Sequence, residues 1–236
     1  MRFAMDPKGL PDKCDGCGAK FDLEHSLHCK TGGLIHGRHD DLSRELMSLA
    51  AFAVGERNVR AKPLINPGSS AALKSNGNDS TVDQPDELRG DVLIRGVFQS
   101  NTDCVVDVRI SNTDAPSYRN RKPEKVLESQ EKEKKAKYAE PCFRQRRTFT
   151  PFVVSTDGLL GREAKTLLKR ISLLLVEKWQ KPYSVVAGIV RSRISIAIIR
   201  ATNRCIRGSR ISYRSISKQI QWEDGSGTGL YRIDSS

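Results

Sequence analysis

Apolar, largely β-branched residues form two short runs near the middle of the chain, residues 92–98 and 104–110, with a polar segment between them. Two such runs around a turn are typical of a β-hairpin. Residues 148–156 predict a further strand, in which Pro151 near the start suits either an edge strand or an entry position. Residues 58–65 are compatible with one more short strand, which Pro63 interrupts.

Four other stretches predict helices because their apolar residues recur at helical spacing or because they are rich in helix-forming charged residues. The first carries a stripe of leucines and stops before Gly55, a natural helix end. The second is highly charged and predicts a solvated helix, whereas the last two have long apolar faces. Their predicted ranges are 38–54, 123–139, 161–178 and 184–205.

The 236 residues carry 40 Lys and Arg against 28 Asp and Glu, a formal net charge of +12. A chain of this length holds one or two domains, and a basic excess of this size favours nucleic acid or another polyanion as partner. The apolar runs are too short for a membrane span, and the N-terminal residues lack the apolar core of a signal peptide. We therefore expect an intracellular protein of the nucleus or cytoplasm, with no membrane partner.

Three of the six cysteines cluster near the N-terminus with a histidine among them, as Cys14-x2-Cys17-x7-His25-x3-Cys29. Four ligands at this spacing are typical of a structural zinc site, and reduced, inert cysteines are the alternative. His25 and Cys29 are one helical turn apart, which places them on one face. Further histidines nearby are alternative ligands or bystanders: His28, His36 and His39.

Two acidic side chains flank the strands of the predicted hairpin. Asp91 precedes the first strand, and Asp107 stands inside the second, where aspartate is uncommon unless that face is wet or functional. Because side chains alternate along a strand, Asp107 and Arg109 share a face. The predicted turn brings Asp91 level with residues 109–111, so that two carboxylates converge beside one guanidinium. Paired carboxylates suit Mg²⁺ and phosphodiester chemistry; a solvated strand face is the alternative.

Neighbouring helices offer a third acid and a lysine. Asp41 and Glu45 lie four residues apart beside the apolar stripe of helix 38–54, and either is a candidate third ligand on a helix packed against the sheet. We expect Lys132, Lys134 or Lys135 of helix 123–139 to reach back over the acidic site or to contact phosphates. The alternative for these acids and lysines is an ordinary solvated helix face.

The last predicted helix carries arginines at spacings that bring them near one another on one face. Such a row predicts a surface that follows a phosphate backbone, and a solvated face is the alternative. The arginines of this region are Arg193, Arg200, Arg204, Arg207 and Arg210. The sequence shows no Walker loop, Rossmann glycine pattern or nucleophile elbow.

The order of an acidic helix, a hairpin with Asp and then Asp-x-basic, a helix, a strand and a helix resembles the core of the PD-(D/E)xK nuclease superfamily. This resemblance implies an α/β (α+β), restriction-endonuclease-like fold, in which helices flank a mixed central β-sheet with a core hairpin. It implies that Asp91 and Asp107 hold Mg²⁺, with Asp41 or Glu45 as the helix acid. Gly90 stands where the motif has proline.

Arg109 occupies the lysine position of that pattern. A guanidinium stays charged and cannot accept a proton, although it can hold a phosphate or stabilise developing charge. The catalytic lysine of this superfamily can migrate to a neighbouring helix, and the resemblance then points to Lys134 or Lys135.

The chain is also similar, over most of residues 14–214, to proteins attached to or derived from the reading frames of non-LTR-type retrotransposons. Those proteins share the Cys-x2-Cys…His-x3-Cys pattern, here called the finger, a Gly-Gly…Arg-His-(Asn/Asp) helix start and several further short sequence motifs. In this chain the motifs are Cys14/Cys17/His25/Cys29, 32–40, 91–96, 107–109, 117–119, 133–138, 149–151 and 205–210.

The resulting expectation is a metal-dependent nuclease-like domain that acts on phosphodiester bonds, on DNA in preference to RNA, with structural Zn²⁺ and catalytic Mg²⁺. Two alternatives stay open: a non-catalytic nucleic-acid-binding protein, and a zinc-stabilised structural or interaction protein. The predicted organisation is a zinc-finger-like module at 1–33 and a nuclease-like domain at 34–214, with a flexible insert at 56–87 and a disordered tail at 215–236.

Overall fold

A computed structural model describes residues 8–65 and 88–211 of the chain. Most of the predicted insert and the whole predicted tail lie outside these residues. The regular elements in chain order are α1 Leu23–His28, α2 Leu34–Val54, β1 Val59–Ala61, β2 Val92–Arg95, β3 Asp103–Ser111, α3 Pro123–Arg144, β4 Thr148–Ser155, α4 Arg162–Trp179 and α5 Tyr183–Arg207.

The four strands form one mixed sheet in the order β1-β2-β3-β4. β1, β2 and β3 are antiparallel neighbours, and β4 lies parallel to β3 after the α3 crossover. The hairpin and the mixed α/β character predicted from the sequence are therefore confirmed. Pro151 lies in β4, a strand at the edge of this sheet, where a missing N–H is tolerated.

The register of the hairpin corrects one prediction. Val92 is opposite Val106 and Arg95 is opposite Asp103, and the N–H of Asp91 donates to the carbonyl of Val106 at 2.9 Å. Asp91 is therefore level with Asp107, not with residues 109–111. The turn of the hairpin begins at Gly96, not after residue 98 as predicted. Gly96 and Asn101 both adopt positive φ angles in this turn, and this shifts the register of the two strands.

Helices cover the two faces of the sheet unequally. The main core joins α2, α4 and α5 to even-numbered positions of the strands, among them Val106, Val108 and Phe152. The opposite face carries a smaller cluster in which Val105 of β3 packs with Tyr138 and other residues of α3. Asp107 and Arg109 share this α3 face, as strand alternation predicted. Within the described residues, no helix has the length and apolar character of a membrane span.

The N-terminal module is attached to the C-terminal end of α5. Leu27 of α1 packs with Cys205 and Ile206 of α5. Asp15 accepts hydrogen bonds from the Ser209 hydroxyl at 2.7 Å and from the backbone N–H of Arg210 at 2.8 Å. The module is thus held against α5 by both apolar and polar contacts.

Candidate functional site

The predicted zinc ligands converge in the folded chain. The side-chain ligand atoms of Cys14, Cys17, His25 and Cys29 all lie within 4.8 Å of one another. The Cys14 and Cys29 sulfurs are 3.8 Å apart, those of Cys29 and Cys17 are 3.9 Å apart, and Cys17 Sγ is 3.4 Å from His25 Nε2. Tetrahedral zinc with Zn–S bonds of about 2.3 Å separates its sulfurs by about 3.8 Å. The cluster therefore fits a metal ion such as zinc.

Local structure positions these four side chains. Asp22 caps α1 by accepting the N–H of His25 at 2.7 Å, and the N–H of Cys29 bonds the carbonyl of His25 one turn later. Burial raises the pKa of Cys14, but backbone hydrogen bonds from Cys17 and Gly16 outweigh it and lower the pKa below its usual value. A thiol with a lowered pKa more readily forms the thiolate, which is the form that binds metals.

A second polar centre lies where Asp91 meets β3. Asp91 Oδ2 accepts the backbone N–H of Val108 at 2.6 Å, which fixes the carboxylate beside the strand that carries Asp107. Asp107 is 5% exposed, and its Oδ2 accepts no hydrogen bond from any described residue. Burial raises the pKa of Asp107, and the nearby charge of Asp91 raises it further, against the opposing effects of Lys134 and His39.

Lys134 is the lysine that reaches this centre. Its Nζ lies 2.8 Å from Asp107 Oδ2, an ion-pair distance without the angles of a hydrogen bond. It also lies 5.3 Å from the centre of the Tyr138 ring. Lys134 arrives from α3, which crosses the face of the sheet on which Asp107 stands. Lys135 points elsewhere, pairing with Glu163 of α4 at 2.6 Å.

Two members of this centre were missed by the sequence argument. His39 Nε2 lies 3.1 Å from Asp91 Oδ2, and its hydrogen bond with Asp91 raises the pKa of His39. Burial and the neighbouring carboxylates of Asp107 and Asp91 raise the pKa of Tyr138 to about 12. Both residues lie in segments that the sequence analysis singled out, at 32–40 and 133–138.

Other predicted members of the acidic site lie apart from it. Arg109 pairs with Glu133 at 2.9 Å rather than with Asp107. Asp41 is paired with Arg204 at 2.5 Å and with Arg44, while Glu45 is paired with Arg193 at 2.5 Å. Asp41 and Glu45 thus face α5, and His39 occupies the side of α2 that meets Asp91. Across the described ranges, only the Cys/His cluster brings three or more ligand atoms of His, Cys, Asp or Glu within 4.8 Å of one another.

The predicted row of arginines is not a uniformly free surface. Arg193 and Arg204 are ion-paired with α2, and Arg193 also stacks over Phe52 at 5.3 Å. Arg210 departs most from the expectation. It is 3% exposed, lies 4.9 Å over the Phe21 ring, and donates to the carbonyls of Ser26 and Cys205 at 3.0 and 2.6 Å. Its guanidinium links α1 to α5, because it donates hydrogen bonds to a backbone carbonyl of each helix. Arg200 and Arg207 remain exposed.

A scan against protein-family models finds no match for this chain, and a search of the curated proteins finds no relative.

Proposed function

We propose that the chain is a metal-dependent nuclease-like domain that acts on phosphodiester bonds of nucleic acid. One observation carries the proposal: the buried Asp107 carboxylate lies level with Asp91, and its Oδ2 is 2.8 Å from Lys134 Nζ. A buried carboxylate with a raised pKa, beside a second carboxylate and a lysine, is a candidate functional site. Two carboxylates and one lysine are the residue types that the PD-(D/E)xK resemblance implies.

The residues present fit a hard divalent cation. Asp91 and Asp107 supply carboxylate oxygens, the ligands that Mg²⁺ prefers, and water is expected to complete its coordination. A bound Mg²⁺ would supply Lewis-acid activation of water and charge for the scissile phosphate. Lys134 is placed to hold a phosphate oxygen or a nucleophilic water beside Asp107. His39 orients Asp91, and Arg109 is 30% exposed at its side chain, so it can bind a phosphate at the margin.

The arrangement of elements supports the restriction-endonuclease-like part of the proposal. α2 lies against one face of a sheet whose hairpin carries both aspartates, and α3 and the parallel strand β4 follow. This is the order on which the resemblance was based. The motifs shared with retrotransposon-derived proteins support a mobile-element origin. The net charge of +12 supports nucleic acid as the substrate class, with DNA preferred over RNA, and the finger as an additional contact.

The test is a cleavage assay with the zinc-loaded full chain. Single- and double-stranded DNA and RNA of mixed sequence are incubated with Mg²⁺, with Mn²⁺ or with EDTA. We expect metal-dependent cleavage that Asp107→Asn reduces by at least about 100-fold, the lower end of losses when a catalytic group is removed. Asp103→Asn is the matched control, because Asp103 begins the same strand but pairs with Arg95 and Arg147 rather than with Lys134. It should cleave at the wild-type rate.

Cleavage by Asp107→Asn at the wild-type rate would show that the acidic centre is not the active site. Salt-dependent binding of nucleic acid without turnover in either metal would favour the non-catalytic alternative instead.

A further inference from the structure

The longest helix, α5, is apolar on two opposite faces. One face is buried in the core through residues such as Val190, Ile194 and Ile198. The other is turned to solvent and nevertheless carries four branched aliphatic side chains, each 37–64% exposed: Val185, Ile189, Ile196 and Ile199. A surface helix ordinarily presents a polar face to water, so a second apolar face indicates a partner.

The spacing on this outer face is that of a coiled-coil seam. Steps of four and three residues alternate along it, and the positions in order are Val185, Ile189, Ser192, Ile196, Ile199 and Asn203. Alternating steps of this kind are the a and d positions of a heptad pattern, which align along a partner helix. Over the 18 steps from residue 185 to residue 203 the seam is about 27 Å long, at 1.5 Å a residue.

The two flanks of the seam differ in charge. On one flank, a cavity of about 400 Å³ has Glu24, Asp114 and Asp157 among its lining residues and no lysine or arginine. On the other flank, a cavity of about 500 Å³ is lined by three arginines together with Asp41 and Glu45, and Arg44 and Arg193 are ion-paired with these two acids. Arg200 belongs to this second flank, is exposed, and makes no ion pair within the described part of the chain.

We propose that this face binds the same face of a second copy of the chain, with the two α5 helices parallel about a two-fold axis. In that arrangement the acidic flank of each helix faces the arginine flank of the other, whereas antiparallel pairing would place like flanks together. Arg200 and Arg207 then stand near the level of the partner's acidic cavity, which Ile199 and Ile206 help to line. Asn203 at a seam position is a residue that specifies pairing state in parallel coiled coils.

A second copy fits better than nucleic acid does. The seam is apolar, and both of its flanks contain carboxylates, which repel phosphates. At this face the exposed apolar side chains are the four seam residues and neighbours such as Phe52, so the interface is at the small end for stable complexes. We therefore expect a dissociation constant of about 1 μM, rather than a permanent dimer. The dimer does not depend on the nuclease proposal.

The test is the mass of the zinc-loaded full chain in solution, measured by sedimentation at concentrations on both sides of about 1 μM. The wild type should change from monomer to dimer, and Ile196→Glu should shift the dissociation constant at least about 10-fold upward. Phe143→Glu is the matched control, because Phe143 is 75% exposed on α3, away from the seam. A monomer at all concentrations, or a dimer that Ile196→Glu leaves unchanged, would overturn the proposal.

Disulfide cross-linking tests whether the two α5 helices are parallel. A disulfide needs Cα atoms about 4.4–6.8 Å apart. Val185→Cys should therefore form a cross-linked dimer under mild oxidation only when the helices are parallel, since antiparallel pairing separates the two residues by about 27 Å. Wild-type protein under the same oxidant controls for its own cysteines. A dimer that resists cross-linking at this position would refute the parallel arrangement, and loss of nucleic-acid binding by Ile196→Glu without any dimer would assign the face to nucleic acid.

Discussion

Lys134→Met removes the cation that faces Asp107 and should destabilise the fold in a pH-dependent manner. The Asp107 side chain is 7% exposed and that of Lys134 is 21% exposed. Breaking a buried ion pair from one side destabilises by about 3–5 kcal/mol. Water reaches a fifth of the lysine, so about 2 kcal/mol is a reasonable value at pH 7. For a chain of this length that loss lowers Tm by about 4–8 °C.

The pH dependence follows from Asp107. The pKa of Asp107 is already raised by burial, against the effects of Lys134 and His39, and removal of Lys134 takes away the larger of these two opposing effects. A carboxyl group whose pKa is higher in the folded than in the unfolded state binds an extra proton on folding. Stability therefore falls as the pH rises from the unfolded value of about 3.9 through the folded pKa. The difference between wild type and Lys134→Met should be small near pH 4 and complete by neutral pH.

The assay is urea unfolding at several pH values for four proteins: wild type, Lys134→Met, Asp107→Asn and the double variant. The double variant should recover most of the loss, because the uncompensated charge is gone. Lys135→Met is the matched control on the next residue. Its partner Glu163 lies at the surface, so its effect should stay within about 0.5 kcal/mol. A loss that is independent of pH, or a double variant as unstable as Lys134→Met, would refute this account of the pair.

Three further outcomes test structural parts of the chain. Chelation of the metal, or Cys29→Ser, should lower Tm and should reduce the bound zinc, measured by metal analysis, from about one equivalent per chain. An unchanged Tm after full metal loss would contradict a structural metal site. Arg210→Met should cost about 2–4 kcal/mol in urea unfolding, while exposed Arg207→Met should cost about 0.5 kcal/mol; equal losses would contradict the burial argument. Glu131 accepts the N–H of Glu163 at the start of α4, so Glu131→Ala should cost about 1 kcal/mol and Glu131→Gln less; the reverse order would contradict capping.

Local patterns explain what could be predicted. The four residues of the Cys/His cluster lie within 16 residues and are arranged by one knuckle and one helical turn, so spacing alone predicts that they converge. The assignment of Asp107 and Arg109 to one face needed only strand alternation. The edge position of β4 is one of the two positions that Pro151 allowed. In each case the information lies within a few neighbouring residues.

The predictions that were wrong concerned features that depend on turn geometry and on contacts between distant elements. The hairpin register is decided by positive φ angles at Gly96 and Asn101, and a small shift in where the turn starts moves Asp91 to the level of Asp107. The contact of His39 with Asp91 depends on how α2 rotates against the sheet. In the sequence, Arg210 could not be distinguished from the other arginines of the predicted row. Its burial depends on backbone carbonyls that the N-terminal module and α5 supply together.

The link between Asp15 and Arg210 joins residues 195 positions apart, so the finger and the end of α5 close almost the whole described chain into one loop. Closing a loop of that size carries an entropic penalty that grows only slowly with length, so the segment between the two ends can vary in length at little further cost. The closure itself depends on a finger whose shape a metal would hold. Metal loading should therefore decide whether the last turn of α5 is anchored or frayed. Hydrogen exchange of the amides near residue 205 would report metal occupancy at residue 14 from the opposite end of the sequence.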